Sequence, residues 1–277
     1  MILLSYQFHT PSTYKYPGFG QKSLESLLTN VGTNDVRDVM KVADHVKNLS
    51  CIDEKRIGIC GGSHGGFLTG HCTGQYPAYF QAAVMRNPVT NIASMVTATD
   101  IPDWCYGEVF GRYDYTSFRA PTGNELQEMH KMSPVSYLSN VKTPTLIALG
   151  LKDLRVPYVT VVSFSAKNNR IFFQSICLFQ KEIMELLFCH LILSVYLFCA
   201  CVRVCIYTCI YIYMRVFSVL LQLNRHSQGL EWYHTLRSAG VDTELLVYPE
   251  DNHALNKVAT EADHYIHIKR WFDKHLG

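Results

Sequence analysis

The fold is decided by residues 56–72, which read RIGICGGSHGGFLTGHC. Residues 56–60 form a short apolar run typical of a buried strand, and the run from Phe67 is typical of the first turns of a helix. Between them lies a G-x-S-x-G motif centred on Ser63. In this context the motif indicates a sharp turn that projects a nucleophilic hydroxyl from the top of a sheet, where a side chain on either flanking glycine would clash. The alternative is an ordinary or phosphate-binding Gly-rich turn, although neither G-x-x-x-x-G-K-[ST] nor G-x-G-x-x-G is present.

The composition of the chain is that of a folded unit with a sizeable core. The 277 residues are 48% hydrophobic and 17% charged. The net charge is +2 and there is no long basic run, which gives no reason to expect nucleic-acid binding. Cys60 and Cys72 fall in the predicted strand and helix, so they are interpreted as core thiols, and this favours a reducing compartment, the cytoplasm. Residues 1–4 lack the charged and apolar regions of a signal peptide.

Apolar runs alternate with helical patterns along the chain. Besides the run before the motif, strands are predicted at residues 2–6, 81–85, 144–150 and 244–249, and helices from Asn34, at 228–239 and at 261–276. Residues 90–140 are expected to be irregular and helical in parts. Near-continuously apolar strands separated by helices imply a mostly parallel sheet with helices on both faces. A strand that begins at residue 2 implies that this fold is N-terminally truncated.

Three loops carry the residue types that an acyl-transfer site needs. Ser63, Asp153 and His253 each follow a predicted strand, in the chain order of an α/β-hydrolase. Catalytic groups of such folds collect at the carboxyl ends of the strands. A serine needs an imidazole base, and the imidazole needs a carboxylate to fix its tautomer. Asp251 and Asp242 compete with Asp153 for the carboxylate role, and a turn or cap residue is the alternative for any loop aspartate.

Several motifs resemble those of the prolyl oligopeptidase family of serine peptidases. They are GGSHGGF at 61–67, RNPV at 86–89, DIPDWC at 100–105, KDLRVP at 152–157 and YPEDNHAL at 248–255. The resemblance covers about residues 16–157 and 226–277. It implies the α/β-hydrolase fold and the release of an N-acylated amino acid from the front of a short blocked peptide, which is the expected partner. No metal or organic cofactor is implied, and a homo-oligomer is left open.

The resemblance also implies a role for each site residue. Ser63 would be the nucleophile, His253 the general base and Asp153 the carboxylate that orients it. The backbone N–H of His64 would contribute to the oxyanion hole. Trp104 and nearby apolar residues are expected to line the pocket for the acyl-amino acid, with a core tryptophan as the alternative.

Two features of the family do not occur in the sequence. One is a large N-terminal β-propeller, and the other is a His-Gly-Gly loop that normally supplies a second oxyanion-hole donor. Losing one such donor costs ~10²–10³ in turnover. A catalytically impaired fragment or mis-spliced isoform is therefore an alternative to an active peptidase.

Residues 158–225 differ in character from the rest of the chain. They contain no Gly, Pro, Asp or Trp and are rich in Phe, Tyr, Cys, Ile, Leu and Val. Their removal brings Asp153 and His253 close to the spacing of the family. We therefore predict an incomplete α/β-hydrolase domain at 1–157 and 226–277, interrupted by an insertion that is not part of the fold.

The favoured interpretation of this insertion is translated non-coding sequence, such as a retained intron. One alternative is a membrane span over Leu186 to Val202, which would suit a membrane-associated serine esterase, but that stretch is at the short limit of transmembrane length. Another is a metal-binding or lipidated stripe formed by Cys201, Cys205 and Cys209. Any of these would place an apolar segment between two predicted catalytic loops.

Overall fold

The structure, a computed structural model, describes residues 2–4, 20–114, 116, 119–157 and 227–277. The predictions made for residues 158–225, and for the end of the first strand at Ser5 and Tyr6, lie outside these residues. Within the described ranges, no helix combines the length and the apolar character needed to cross a membrane.

Five strands of the described residues form one parallel sheet in the order β1-β2-β3-β4-β5. They are β1 Ile2–Leu4, β2 Gly58–Gly62, β3 Ala82–Arg86, β4 Thr145–Gly150 and β5 Thr243–Tyr248. This confirms the predicted parallel sheet. Because all strands run in one direction, the loops after β2, β4 and β5 emerge at the same edge, where ligands bind in sheets of this kind.

Strand β2 ends later than the sequence pattern predicted. The apolar run suggested 56–60, whereas the strand includes both glycines that precede Ser63. The reason is pairing with β3, because Gly61 lies opposite Met85 and Gly62 opposite Arg86. The strand therefore continues up to the turn itself.

Helices connect the strands and cover the sheet. They are α1 Gln21–Leu27, α2 Asn34–Lys47, α3 His64–Gln75, α4 Ile92–Met95, α5 Pro102–Phe110, α6 Gly123–Lys131, a 3-10 helix at Pro134–Asn140, α7 Gln228–Ser238 and α8 Val258–Leu276. The helices predicted from Asn34 and at 228–239 are confirmed, and the last helix begins three residues before its predicted start. The region at 90–140 is helical in parts, as expected.

Successive residues of β3 contact different helical layers. Val84 packs with Trp271 and Phe272 of α8, whereas Met85 packs with Trp232 of α7. Side chains of neighbouring strand residues point to opposite faces, so helices cover both sides of the sheet. All residues of β3 and β4 are buried, which explains why these strands read as continuous apolar runs.

Candidate active site

Ser63 occupies a strained turn between β2 and α3. Its φ of 57° and ψ of −119° lie outside the regions that side-chain-bearing residues prefer. Its N–H donates to the carbonyl oxygen of Arg86 at 2.9 Å, and its own carbonyl oxygen accepts from the N–H of Phe67 at 3.0 Å. The strand–turn–helix context predicted for the motif is therefore present, with a half-buried serine at its apex.

The turn packs closely against the loop that follows β3. A Cβ atom added to Gly66 would lie 2.6 Å from the Cβ of Pro88 and 2.8 Å from its Cα. Real Cβ atoms do not approach other carbon atoms so closely, so glycine is required here by the contact between the first turn of α3 and the loop after β3. The first turn of α3 is thus held against the segment that carries the RNPV motif.

Asp153 and His253 form a short hydrogen bond at the same edge of the sheet. The His253 Nδ1 to Asp153 Oδ2 distance is 2.7 Å, and Asp153 is buried. The Oδ1 atom of Asp153 accepts from the N–H groups of Arg155 and Val156, both at 2.9 Å. A carboxylate can only accept, so Nδ1 carries the proton and Nε2 is left with a free lone pair.

The two competing aspartates have other partners. Asp251 accepts from the backbone N–H groups of Asn252 at 2.9 Å and Lys257 at 3.2 Å, which shapes the loop that carries His253. Asp242 pairs with Lys274 at 2.6 Å. The structure thus places Asp153, and neither competitor, against the imidazole.

Comparisons with known proteins show the family of the chain. The family model described as the prolyl oligopeptidase family matches residues 16–170 and 225–277. The chain belongs to the prolyl oligopeptidase family. It is 34% identical over 258 residues to the acylamino-acid-releasing enzyme of Arabidopsis thaliana, covering 93% of this chain and 25% of that protein. It is also 34% identical over 260 residues to the enzyme of the same name from Mus musculus, covering 94% of this chain and 26% of that protein.

Solved structures show the same fold. The acylaminoacyl peptidase of Pyrococcus horikoshii aligns with a TM-score of 0.60 and 18% identity over 94% of this chain and 30% of that one. A puromycin-hydrolyzing peptidase of Mycobacterium tuberculosis aligns with a TM-score of 0.61 and 17% identity, over 95% and 28% respectively. The α/β-hydrolase fold is confirmed, and the chain spans about a quarter of the length of the curated relatives that it matches.

A buried acidic cluster lies behind the turn of this family member and was not predicted. Asp35 of α2 has no exposed side-chain surface, and its Oδ2 is 3.4 Å from the Nε2 of His64. The carboxylate therefore faces the residue after Ser63. Glu108 of α5 completes the cluster and is also buried.

The charges of this cluster act on one another. Burial raises the pKa of Glu108 to about 7; the His64 imidazole opposes this rise and the Asp35 carboxylate adds to it. Burial by itself would lower the pKa of His64, but the Asp35 carboxylate 3.4 Å away, with the charge of Glu108, raises it overall. The carboxylates therefore favour a protonated imidazole next to Ser63.

Trp104 of α5 contacts both this cluster and the core. Its ring meets the His64 ring edge-on, with the centroids 5.9 Å apart, and its indole donates a hydrogen bond that lowers the pKa of Glu108. Trp104 is only partly buried and packs against the apolar residues around α2 and α3. It is thus close to the residue after Ser63, and its place in a substrate pocket stays a prediction.

The described residues contain no group of three or more His, Cys, Asp or Glu side chains that could hold a metal ion. Of the cysteines in these residues, Cys51 is exposed, and Cys60, Cys72 and Cys105 are buried. Burial raises the pKa of Cys60 to about 11, so this thiol is neutral and unreactive at physiological pH.

Asn87 is a further residue that the sequence interpretation missed. It was noted only as part of the RNPV motif, yet it is buried and contacts the backbone on both sides of the Asp153–His253 pair. Its position directly after a buried strand was the available signal, since the carboxyl ends of strands carry the sites of such folds.

Proposed function

We propose that this chain carries the catalytic site of a serine peptidase that releases an N-acylated amino acid from the N-terminus of short blocked peptides. Ser63 is the nucleophile, His253 the general base and Asp153 the orienting carboxylate. The observation that supports this most strongly is the 2.7 Å bond between His253 and the buried Asp153, at the sheet edge where Ser63 sits in its strained turn. The named relatives support the substrate class, and a solved acylaminoacyl peptidase holds Z-Gly-Gly-Phe-chloromethyl ketone.

The position of the proton in the Asp153–His253 pair supports a mechanism with His253 as general base. With Nδ1–H donated to Asp153, the Nε2 lone pair of His253 accepts the hydroxyl proton while Ser63 Oγ bonds to the scissile carbonyl carbon. The C–N bond then breaks, Nε2 returns the proton to the leaving amine, and an acyl-enzyme remains. Water repeats the sequence with His253 as base and releases the N-acylated amino acid.

The oxyanion of each tetrahedral intermediate needs hydrogen-bond donors. We assign one of them to the backbone N–H of His64, which is the first residue of α3. The N-terminal N–H groups of a helix have no partner within the helix and lie at its positive end, so they suit a developing negative charge. Removing one oxyanion-hole donor costs roughly 10²–10³ in turnover, which is the contribution expected of this group.

A fluorophosphonate probe tests the nucleophile. The purified 277-residue chain is expected to be labelled covalently at Ser63, and Ser63→Ala is expected to abolish labelling without changing the circular dichroism spectrum. A wild-type chain that is folded but not labelled would contradict the proposal.

Substrate choice separates a peptidase from a general esterase. We expect cleavage of an acetyl-alanyl chromogenic amide and little cleavage of the same amide with a free amino terminus. Hydrolysis of simple chromogenic esters alone would instead indicate an esterase.

A cytoplasmic location remains a prediction from cysteine usage.

A further inference from the structure

One buried amide joins three loops of the candidate site. Asn87 is the first residue after β3 and is only 2% exposed. Its φ of 38° is uncommon for a residue with a side chain, although asparagine tolerates this region better than most. The chain thus turns sharply at Asn87, at the edge of the sheet where Ser63, Asp153 and His253 emerge.

Both N–H groups of the Asn87 amide and its oxygen have a protein partner of the right kind. The Nδ2 group donates to the carbonyl oxygen of Asn252 at 3.1 Å and to that of His253 at 2.9 Å. The Oδ1 atom accepts from the N–H of Gly150 at 2.8 Å. Because two partners can only accept and the third can only donate, the orientation of the amide is fixed by its neighbours.

These hydrogen bonds connect the loop that carries His253 to the strand ends that precede Ser63 and Asp153. Gly150 ends β4, three residues before Asp153, and a Cβ atom there would lie 2.5 Å from the carbonyl oxygen of Asn252. On the other side, Arg86 accepts the N–H of Ser63. A continuous path of hydrogen bonds and one peptide bond therefore leads from Ser63 through Arg86 and Asn87 to the backbone of His253.

We propose that Asn87 is a positioning residue that sets the location of His253 relative to Asp153 and Ser63; this inference rests on the proposed function. Catalytic groups must be held within about 0.5 Å of the productive geometry. The His253 side chain branches from the residue whose carbonyl Asn87 holds. A displacement of about 1 Å can cost ~10²-fold in rate, so loss of the two donors is expected to slow acylation with little effect on substrate binding.

The test compares two asparagines of one loop in the full-length chain. Asn87→Asp preserves the size of the side chain and its acceptor for Gly150, but sets a carboxylate against two carbonyl oxygens. Asn91→Asp is the matched control, since Asn91 is also buried and its Oδ1 caps Ser94 of α4, a role that aspartate fulfils equally. The readouts are the rate of fluorophosphonate labelling, kcat and KM for the acetyl-alanyl amide, and the downfield proton resonance of His253 Nδ1–H.

At pH 8 we expect Asn87→Asp to lower the labelling rate and kcat by about 10- to 100-fold with KM nearly unchanged, and Asn91→Asp to stay within about twofold of wild type. A buried aspartate has a raised pKa, so the new carboxyl regains one donor when it is protonated. The labelling rate and kcat of Asn87→Asp should therefore come closer to those of the wild-type chain as the pH falls from 8 to 6. Thermal melts at each pH separate this recovery from a change in the folded fraction, because ionisation of a buried carboxyl also destabilises the fold.

Two results would overturn the inference. One is a folded Asn87→Asp chain that is labelled at the wild-type rate, and the other is a loss that matches the unfolded fraction seen in thermal melts. If the aspartate variant does not fold, Asn87→Ala replaces it, again with an expected fall in kcat and a nearly unchanged KM. If the wild-type chain is not labelled, the proposed function fails, and the Nδ1–H resonance of His253 alone tests the positioning role. Loss of this resonance in Asn87→Asp supports the role. A resonance that Asn87→Asp retains refutes it.

Discussion

At the scale of single residues, Asp153 uses its two oxygens for different purposes. Oδ1 accepts two backbone N–H groups of its own loop, and Oδ2 accepts Nδ1–H of His253. An asparagine could keep the first set of bonds with its oxygen, but its NH₂ group would then face the imidazole. His253 would have to accept at Nδ1 and carry its proton on Nε2, which leaves no lone pair for Ser63.

Asp153→Asn is therefore expected to lower kcat by about 10³–10⁴-fold while the fold is maintained. The measurement is steady-state hydrolysis of the acetyl-alanyl amide, with thermal melts to check folding. Asp242→Asn is the control, because Asp242 pairs with Lys274 near the surface and contacts no candidate catalytic residue. Equal losses in both variants would contradict the assignment of Asp153.

The residues predicted from sequence share one property that the missed residues lack. Ser63, Asp153 and His253 combine a reactive residue type with a place in the loop or turn that follows a strand, which local pattern reveals. The role of Asn87 depends on backbone atoms more than 160 positions away, which no local pattern encodes. Asp35 had the same signal as any acidic residue in a first helical turn, and its burial against His64 only follows from how the helices pack.

At the scale of elements, the placement of α3 depends on contacts that only small residues permit. Its first turn touches Pro88 at Gly66, and its second half approaches Pro134 at Gly70 and Tyr137 at Gly74. The sequence predicted that a helix follows Ser63, because strand, turn and helix signals were adjacent. It did not predict which loops press against this helix, since those contacts come from distant parts of the chain.

Gly66→Ala is expected to destabilise the fold by about 1–3 kcal/mol, since the new methyl group overlaps the backbone and ring of Pro88. Labelling of Ser63 should also slow, because Pro88 adjoins Asn87. The comparison is Gly107→Ala in α5, where nothing lies within 4 Å of the new Cβ and a gain of about 0.5–1 kcal/mol is expected. Urea denaturation gives both values, and a Gly66→Ala chain as stable as Gly107→Ala would refute the close contact.

At the scale of the whole molecule, the buried cluster of Asp35, His64 and Glu108 links stability to pH. Glu108 has a pKa of about 7 in the folded chain against an ordinary value of 4.5. A carboxyl with a raised pKa contributes stability that is present below pH 4.5 and lost as the pH rises through 7. His71 has the opposite dependence, because burial lowers its pKa from 6.5 to about 4.

Glu108→Gln separates the pH dependence due to Glu108 from that due to His71, since the glutamine amide does not ionise. Relative to wild type, the variant is expected to gain about 3 kcal/mol of stability as the pH rises from 4.5 to 7, and to show no further gain above that range. Urea unfolding of both chains at half-unit pH steps measures this difference. A difference that does not change with pH would mean that Glu108 ionises normally.

The division of the chain can also be tested as a whole. We propose that residues 1–157 and 226–277 form the α/β-hydrolase domain and that 158–225 are not required for its fold. In support, Pro157 and Ser227 line the same small cavity beside Asn87, so a very short connection can join them. A chain that lacks 158–225 is expected to be soluble, to melt cooperatively and to label at Ser63 at least as fast as the full chain. Failure of this shortened chain to fold would refute the proposed division.

The order of the strands has a consequence for biosynthesis. Because β1 to β5 are neighbours in the same order as in the chain, the sheet can grow outward as the polypeptide leaves the ribosome. Ser63 is synthesised before β3, β4 and β5, whereas His253 follows β5, the last of the described strands in the chain. Under the proposed mechanism, a nascent chain therefore holds an inert serine until β5 pairs with β4. Under the same proposal, peptide cleavage can begin only after β5 has joined the sheet.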